Sequence, residues 1–495
     1  MTGTLRCKFS ISAAISVLFF FYSLLILLPG SSLLMDGDTF WHILTGQWIL
    51  DHGQFPTVDF YSYTAVGRRW ISGEWLSEIF LALAFKFGGW RGVVILSAIA
   101  CATVVSILCS YLLQNVRFSL AVGWAAITAF AMGPHYLARP HLFSYILMLL
   151  WLIVLLNAYD RKDFRPPIIT LAILMILWCN LHGSFTLGLI MLYVFGGIAC
   201  YEKIVQQNYI GFRQILIAML VVSASALINP YGIYPALLTL EVAKLNYIMQ
   251  HIPEWQSPNF QIYKLHLYLL VGLFATMIGF GIRLRGPRLV LFCMFMFLGL
   301  SHARGLVMFF LITPIILAQP VAKLSEFWGT AITDRSSNAA GLADPILSYL
   351  QKHLVLIPAM CLAGAAFATT LSWARIDVGP PEEIAPKSAV DFVKQNGITG
   401  NVFNSFSFAG YLMFRGIPTF IDSRSPPYSD NFMQNYNGAV NLVDINKAFQ
   451  LLDEYKVNWV ILHPTIEPLA VALARNKFWD EVYSDKYSVV FVRRP

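Results

Sequence analysis

Long apolar runs separated by short polar segments occupy the first three quarters of the chain. A helix needs ~20 apolar residues to cross the hydrocarbon core of a bilayer, and fewer where protein surrounds its end. By that rule the pattern predicts about eleven transmembrane helices, with a margin of one or two. They lie near residues 11–33, 90–114, 119–133, 142–159, 168–181, 185–203, 214–229, 266–282, 289–302, 305–323 and 353–373.

The first run follows Arg6 and Lys8, as the apolar core of a signal peptide would. Such a core is ~7–15 residues long and ends at a small-residue cleavage site. The run here is longer and has no convincing site of that kind. We therefore expect it to stay in the protein as a transmembrane helix.

Basic residues in the short connections predict the orientation, because lysine and arginine concentrate in cytoplasmic loops. With the N-terminus in the cytoplasm, the inner connections contain Arg161, Lys162, Arg165, Lys203, Arg213, Arg283, Arg285 and Arg288. Eleven spans then place the C-terminus outside the inner membrane. The opposite face receives residues 34–89, 134–141, 181–184 and 230–265 and the tail from about 374.

The tail differs from the membrane region, because its apolar runs are short and its charged residues are frequent. A helix is predicted after Pro386, and strands are predicted at 401–406, 419–422 and 457–462. Alternating helices and strands predict a small α/β domain. The chain is thus predicted to consist of a transmembrane domain at 1–373 and a periplasmic α/β domain at 374–495. Residues 34–89 are called the first loop. Within it, the apolar spacing of residues 40–50, FWHILTGQWIL, predicts an amphipathic helix lying along the membrane surface.

Composition supports a membrane protein and excludes other classes. The chain has 495 residues, of which 57% are hydrophobic and 12% charged, whereas soluble domains carry about 25% charged residues. The 15% aromatic content is equally unlike a disordered chain. No lysine-rich tract suggests a nucleic-acid partner. The seven cysteines form no CxxC pair and lie in or beside apolar runs, so they indicate neither a disulfide framework nor a metal site.

Two carboxylates, Asp36 and Asp38, directly follow the first span. Partial dehydration there would raise the proton affinity of a carboxylate and suit it to act as a general base. The pair is equally able to hold a divalent cation. The structural alternative is a turn that caps the following helix, since Asp and Gly commonly form such turns.

Basic and polar residues cluster in two short turns on the same predicted face. His135, Arg139 and His141 suit a phosphate or carboxylate ligand, because arginine offers paired donors to planar oxygens. Alternatively, Arg139 reaches towards lipid headgroups. Asn180 and His182 lie at the tip of two short spans, either beside a ligand or as hydrogen-bond ties between helices.

Three further residues belong to this face: Glu74 and Glu254, each followed by tryptophan, and Arg304. Tryptophan beside glutamate suits a sugar, although tryptophan is also enriched at membrane interfaces. Arg304 stands alone between two apolar spans, where it requires an anion. Acids, histidines and arginines from several loops together indicate a ligand with a polar head and a lipid tail.

A longer pattern surrounds the aspartates. The first loop continues with Trp41-His42, Gly46, Gly53, Pro56, Asp59, Tyr61-Ser-Tyr-Thr and Gly67. This pattern resembles a group of bacterial membrane proteins among the GT-C glycosyltransferases, the superfamily of protein O-mannosyltransferases and aminoarabinose transferases. A looser resemblance continues through Arg139-Pro-His141, Asn180-Leu-His182-Gly, Asn229-Pro-Tyr-Gly, Glu254-Trp and, in the tail, Asn404, Tyr411-Leu, Asp422 and Arg424.

The resemblance implies a GT-C-like membrane enzyme that transfers a sugar from a polyprenyl-phosphate donor to a glycan, lipid or protein acceptor. It assigns the role of catalytic base to Asp36 or Asp38. It assigns phosphate binding to basic residues of other loops, which here would be Arg139, His141, His182 or Arg304. No cofactor other than a divalent cation is suggested, and the sequence leaves the oligomeric state open.

Two other functions compete with this hypothesis. A transporter or flippase of a lipid-linked sugar would carry charges within its spans and show internal repeats. This chain keeps nearly all its charges at span ends and shows no repeat by eye. The second competitor is a non-catalytic assembly or sensor protein, in which the aspartates would be structural.

Overall fold

The computed structural model describes residues 15–26, 32–161, 164–242, 244–333, 356–373, 378–424 and 427–494. In these ranges four helices are long and apolar enough to cross a membrane, namely Trp75–Asn115, His141–Tyr159, Phe185–Val205 and Ala303–Leu324. Seven shorter apolar helices accompany them, Ile15–Ile26, Phe118–Ala131, Ile168–Leu181, Tyr209–Ser225, Lys264–Gly279, Pro287–Ser301 and Leu362–Leu371. The protein is therefore a multi-pass membrane protein.

The described part of the membrane region contains fourteen α-helices, α1 to α14 in chain order. They are α1 (Ile15–Ile26), α2 (Asp38–His52), α3 (Trp75–Asn115), α4 (Phe118–Ala131), α5 (His141–Tyr159), α6 (Ile168–Leu181), α7 (Phe185–Val205), α8 (Tyr209–Ser225), α9 (Tyr234–Val242), α10 (Asn246–His251), α11 (Lys264–Gly279), α12 (Pro287–Ser301), α13 (Ala303–Thr333) and α14 (Leu356–Trp373). Each predicted span overlaps one apolar helix, while the exact number of spans stays a prediction.

Some predicted features fall partly outside the described residues. These are the two ends of the first run, the start of the last run, and Lys162. Within the described part, α3 continues from the first loop into the predicted second span. Gly89 interrupts it with a non-helical backbone (φ 57°, ψ −147°), a conformation that glycine adopts without a Cβ penalty. The kink separates the loop-side part of α3 from its membrane part.

Helix α2 confirms the helix predicted for the first loop, and it is a packed element. Its buried residues include Phe40, His42 and Ile43. The helix is capped by Gly53, which has a left-handed φ of 63° and whose backbone N–H donates a hydrogen bond to the Ile49 carbonyl. Helix α2 thus packs between α3 and the tail, and its buried residues contact protein on both sides.

The tail forms a four-stranded sheet with the strand order β1-β2-β4-β3. The strands are β1 (Asn401–Asn404), β2 (Val457–Leu462), β3 (Trp479–Ser484) and β4 (Val489–Arg493). Strands β1 and β2 are parallel, with Phe403 opposite Val460, and the other two pairings are antiparallel. The helices of the tail are Lys387–Gln395, Ala409–Phe414, Asp430–Val440, Ile445–Glu454 and Leu469–Ala474. The predicted α/β character is therefore present.

Two details of the tail differ from the sequence-based expectation. The strand predicted at 419–422 is wrong, because this segment makes only an isolated bridge, from Thr419 to Ser62 of the first loop. Its apolar residues Phe420 and Ile421 are instead buried in the core. Strands β3 and β4 were not predicted. In β3 the exposed charged residues Asp480 and Glu481 conceal the pattern of a strand.

The tail packs directly against the first loop. The Tyr63 hydroxyl donates to the Val402 carbonyl at 2.9 Å. Gly410 lies so close to α2 that a Cβ there would stand 1.9 Å from the Gly37 carbonyl oxygen. Phe40 joins the tail's core beside Tyr411. The loop that carries the two aspartates is thus held between the helix bundle and the tail, while the domain boundary at 373/374 stays a prediction.

Candidate active site

One guanidinium connects three of the four acids predicted as site residues. Arg139 Nε lies 2.7 Å from Asp36 Oδ2, and its Nη1 lies 2.7 Å from Glu254 Oε1. The third nitrogen, Nη2, contacts Asp38 Oδ2. Arg304 extends the group, with Nη2 2.7 Å from Glu254 Oε2. We call these five residues the Arg139 cluster.

Residues distant in sequence meet in the Arg139 cluster because loops from several helix ends converge. Arg139 lies in the turn between α4 and α5, where the Ala138 carbonyl accepts a hydrogen bond from Thr39 Oγ1 at 3.0 Å. Arg304 lies at the start of α13, with its guanidinium 5.5 Å from the Trp255 ring. Burial acts to raise the pKa of Glu254, but Arg304 and Arg139 outweigh it and hold that pKa at about 2. Glu254 is therefore ionised at neutral pH.

The two aspartates have different surroundings. Asp36 Oδ1 accepts the backbone N–H of Asp38 at 2.8 Å, which is the turn expected of an Asp-Gly sequence. Burial raises the pKa of Asp36, and Arg139 offsets only part of that rise. Asp38 Oδ1 instead accepts a hydrogen bond from the Ser423 hydroxyl of the tail. Asp36 is thus both a turn residue and a partner of Arg139, whereas Asp38 contacts a second part of the chain.

A second group lies at the start of α3 and is called here the His–Glu cluster: His42, Glu74, Glu78 and His182. His182 Nε2 lies 3.2 Å from Glu74 Oε1, and His42 Nε2 lies 3.9 Å from Glu74 Oε2. His42 Nδ1 is 3.2 Å from Glu78 Oε1. The group therefore places Glu74 between two imidazole rings.

Close packing of α2 on α3 assembles the His–Glu cluster. A Cβ on Gly46 would stand 2.0 Å from the Glu78 carbonyl oxygen, so only glycine allows this approach. His42 lies one helical turn before Gly46, and Glu74 lies one turn before Glu78, so both pairs share a helix face. The same packing faces bring the imidazole and the carboxylates together.

Burial sets the protonation of the His–Glu cluster. It lowers the pKa of His42 to about 4 and that of His182 to about 3. It raises the pKa of Glu74 to about 7. At neutral pH the histidines are therefore uncharged, and Glu74 is near the midpoint of its titration. A carboxyl with that pKa can accept and release a proton near neutral pH.

Two residues of the predicted turns have structural contacts. His141 Nε2 lies 2.9 Å from the His135 carbonyl oxygen, and its side chain is buried. Asn180 accepts from Trp75 Nε1 at 2.7 Å and donates to the Ile228 carbonyl at 2.9 Å. Asn180 therefore connects α6 to neighbouring segments by hydrogen bonds, which is the structural alternative considered for it above. His141 supports the turn that carries Arg139, and its role in binding a donor phosphate stays a prediction.

The tail packs against the first loop through a buried ion pair. Arg424 Nη2 lies 2.6 Å from Asp59 Oδ1 of the first loop and 2.7 Å from Asp422 Oδ2. All three side chains are fully buried. The Tyr428 hydroxyl donates to Asp422 Oδ2 at 2.7 Å. The buried ion pair fixes the segment 422–424 against the loop that carries Asp38.

The acids of the Arg139 cluster do not form an evident metal site. Among the described residues, no group of three or more His, Cys, Asp or Glu side chains is arranged to hold a metal ion. The Arg139 guanidinium lies between Asp36 and Asp38, where a cation shared by the two carboxylates would lie. The donor set therefore does not fit a cation in this arrangement.

Sequence reasoning gave no role to His42, Glu78 or Ser423. A signal existed for two of them, because His42 follows Asp38 by four residues and Glu78 follows Glu74 by four. Residues four apart lie on one helix face. Ser423 had no local signal, since its partner Asp38 is 385 positions away in the chain.

The arrangement of helices and tail is similar to solved structures of the oligosaccharyltransferase from Archaeoglobus fulgidus. The apo form gives a TM-score of 0.54 at 11% identity, covering 91% of this chain and 69% of that one. The complex with an inhibitory peptide and a dolichol-phosphate gives 0.55 at 12% identity, with the same coverage. The form tethered to an acceptor peptide with an NVT sequon gives 0.53 at 11% identity, covering 97% and 74%.

The chain has a GT-C-like fold. This confirms the fold that the first-loop pattern implied, because the oligosaccharyltransferase is a GT-C superfamily membrane glycosyltransferase. The sequence matches no protein-family model, and no curated protein sequence is significantly similar to it. The GT-C-like fold therefore rests on structural similarity at low sequence identity.

Proposed function

We propose that this protein is a membrane glycosyltransferase that moves a sugar from a polyprenyl-phosphate donor to an extracytoplasmic glycan, lipid or protein. The observation that carries the proposal is the Arg139 cluster, in which one guanidinium joins two first-loop aspartates to Glu254, which also pairs with Arg304. The structural neighbour binds a dolichol-phosphate and an acceptor peptide, which supports a lipid-linked donor and a protein acceptor.

The proposed topology follows from the positive-inside rule. The N-terminus lies in the cytoplasm, and the first loop and the tail lie on the outer side of the inner membrane. Both clusters are then at the outer boundary of the bilayer. A polyprenyl phosphate would present its phosphate and sugar at that level, with its chain among the apolar helices.

The reaction requires a base and cations. In a polyprenyl-phosphate sugar the lipid phosphate is already a good leaving group, so its departure needs little acid catalysis. A first-loop aspartate takes the proton of the acceptor hydroxyl while the acceptor oxygen bonds to the anomeric carbon. The bond from that carbon to the phosphate oxygen breaks, and its electron pair stays on the phosphate. A single displacement of this kind inverts the anomeric configuration.

The cations of the site stabilise the departing phosphate. Arg304 is the better placed of the two arginines, because its side chain is 24% exposed and a ligand can reach it. Arg139 already contacts three carboxylates and chiefly holds them in place. Glu74 and His182 line the neighbouring cluster and are proposed to contact sugar hydroxyls.

The test uses purified protein in nanodiscs with a panel of polyprenyl-phosphate sugars and candidate acceptors. We expect release of polyprenyl phosphate by the wild type and a loss of ~10²–10⁴-fold when the catalytic aspartate becomes asparagine, the range for general-base catalysis. Asp36→Asn and Asp38→Asn are compared with Asp51→Asn, an exposed aspartate of α2. Equal turnover by both variants and the control would refute the assigned base. Absence of turnover with every donor and acceptor would refute the transferase.

A further inference from the structure

The tail reaches the first-loop aspartates through one hydroxyl. Ser423 Oγ donates to Asp38 Oδ1 and accepts from Trp41 Nε1 at 3.2 Å. A serine has one O–H donor, and the indole N–H can only donate. The contact with Trp41 therefore directs the serine proton towards the carboxylate.

The segment around Ser423 is fixed on both sides. Asp422 and Arg424 form a fully buried ion pair with each other, and Arg424 also contacts Asp59 of the first loop. The Arg424 guanidinium lies 4.6 Å from the Trp70 ring and 4.8 Å from the Tyr61 ring. Residues held in this way lose little further freedom when they contact another group, so Ser423 is already positioned for its contact with Asp38.

The two aspartates are consequently not equivalent. Asp36 is held by its own turn and by Arg139, so its position depends on the first loop and the turn before α5. Asp38 is held by Arg139 and by Ser423, so its position also depends on the tail. A hydroxyl that donates to a carboxylate stabilises the ionised form, which is the form that accepts a proton.

We propose that Ser423 is a positioning residue that orients Asp38 as the base of the transfer, so that the tail completes the catalytic site. The proposal rests on the proposed function and deepens it, because it selects Asp38 over Asp36. The acceptor proton passes to Asp38, while Ser423 keeps its own proton throughout. Asp36 serves to hold Arg139.

The charged groups facing Asp38 come from several elements. Arg139 contacts it from the turn before α5, Asp36 lies two residues before it, and Glu254 lies on the other side of the guanidinium. On the tail side, Asp422 and Arg424 compensate each other. Removing the Ser423 hydroxyl therefore changes the surroundings of Asp38 without changing the charge of the site.

Three variants test the proposal by kinetics. Ser423→Ala should lower kcat/KM about ten- to a hundredfold, the loss expected for a hydrogen bond to a charged group. It should also move the acidic limb of the pH–rate profile to higher pH, because the ionised carboxylate has lost a donor. Ser423→Thr keeps a hydroxyl and should retain most activity. Ser388→Ala is the matched control, since it removes an exposed serine–carboxylate contact with Glu382 elsewhere in the tail.

The outcomes separate this proposal from the one on which it rests. If the wild type transfers sugar and Ser423→Ala behaves like Ser388→Ala in rate and pH profile, the positioning role is refuted. If no donor and acceptor pair is used by the wild type, the transferase proposal fails. In that case thermal melting of Asp38→Ala, Ser423→Ala and the double variant decides whether the two residues interact. Non-additive melting shifts support the contact, and additive shifts refute it.

Discussion

Gly46 is the residue on which the packing of α2 against α3 depends most directly. In Gly46→Ala the new Cβ would stand 2.0 Å from the Glu78 carbonyl oxygen, whereas ordinary contacts begin at 3.4 Å. Because the obstructing atom belongs to a helix backbone, the two helices must separate by more than ~1 Å. Overpacking of this kind costs about 1–3 kcal/mol. We therefore expect the variant to melt several degrees below the wild type.

The same separation should disturb the His–Glu cluster. His42 Nδ1 and Glu78 Oε1 are 3.2 Å apart, which is near the limit of a hydrogen bond. A shift of more than ~1 Å would break this contact, and a misplacement of that size can reduce a catalytic rate ~10²-fold. Sugar transfer should therefore fall more steeply than stability alone would explain.

The assay measures melting and polyprenyl-phosphate release for Gly46→Ala in nanodiscs. Gly73→Ala is the matched control, because it lies in the same loop and a Cβ there meets nothing within 4 Å. Transfer is measured well below the melting temperature, so that unfolding does not enter the rate. If Gly46→Ala melts and transfers sugar like Gly73→Ala, the close approach of the helices is wrong.

Two other predictions concern pH and tail docking. Burial raises the pKa of Glu74 from 4.5 to about 7, so the stability that the protonated carboxyl gives the folded protein is complete below pH 4.5 and is lost as the pH rises through 7. The melting temperature of Glu74→Gln should therefore rise relative to that of the wild type between pH 4.5 and 7. A difference in melting temperature that stays constant over this range would contradict the burial effect. Gly410→Ala would bring a Cβ within 1.9 Å of the Gly37 carbonyl oxygen, so limited proteolysis should release the tail of this variant faster. The control is Gly438→Ala, where a Cβ meets nothing within 4 Å. Equal cleavage rates of the two variants would contradict the docking of the tail.

The fold was largely predictable because its strongest signals are local. An apolar run long enough to cross a bilayer indicates a helix wherever its neighbours lie, and the eleven runs each overlap an apolar helix. The tail was harder to predict. Strand β3 carries two exposed charged residues, Asp480 and Glu481, and its pairing with β4 decides its conformation. The segment 419–422 has the composition of a strand, yet a single bridge to the first loop takes its place.

The candidate site was predictable as a set of residue types but not as a geometry. Asp36, Asp38, Arg139, Glu254 and Arg304 were singled out because charges are costly near a membrane and therefore signal a role. That one guanidinium would join three carboxylates depended on how three loops converge. His141 has the same limit, because its contact with the His135 carbonyl does not follow from its place in the turn.

The sequence by itself determined that this is a multi-pass membrane protein with an α/β tail, because hydrophobic length and charge frequency act locally and do not depend on chain topology. Only the tertiary structure decided which side chains share a site. Ser423 and Asp38 are separated by 385 positions, and they meet because Gly410 and Gly37 permit two backbones to touch. A contact of that kind leaves no periodic trace in a single sequence. The contact between Ser423 and Asp38 arises from packing between distant elements of the chain, and this packing brings the tail into the site.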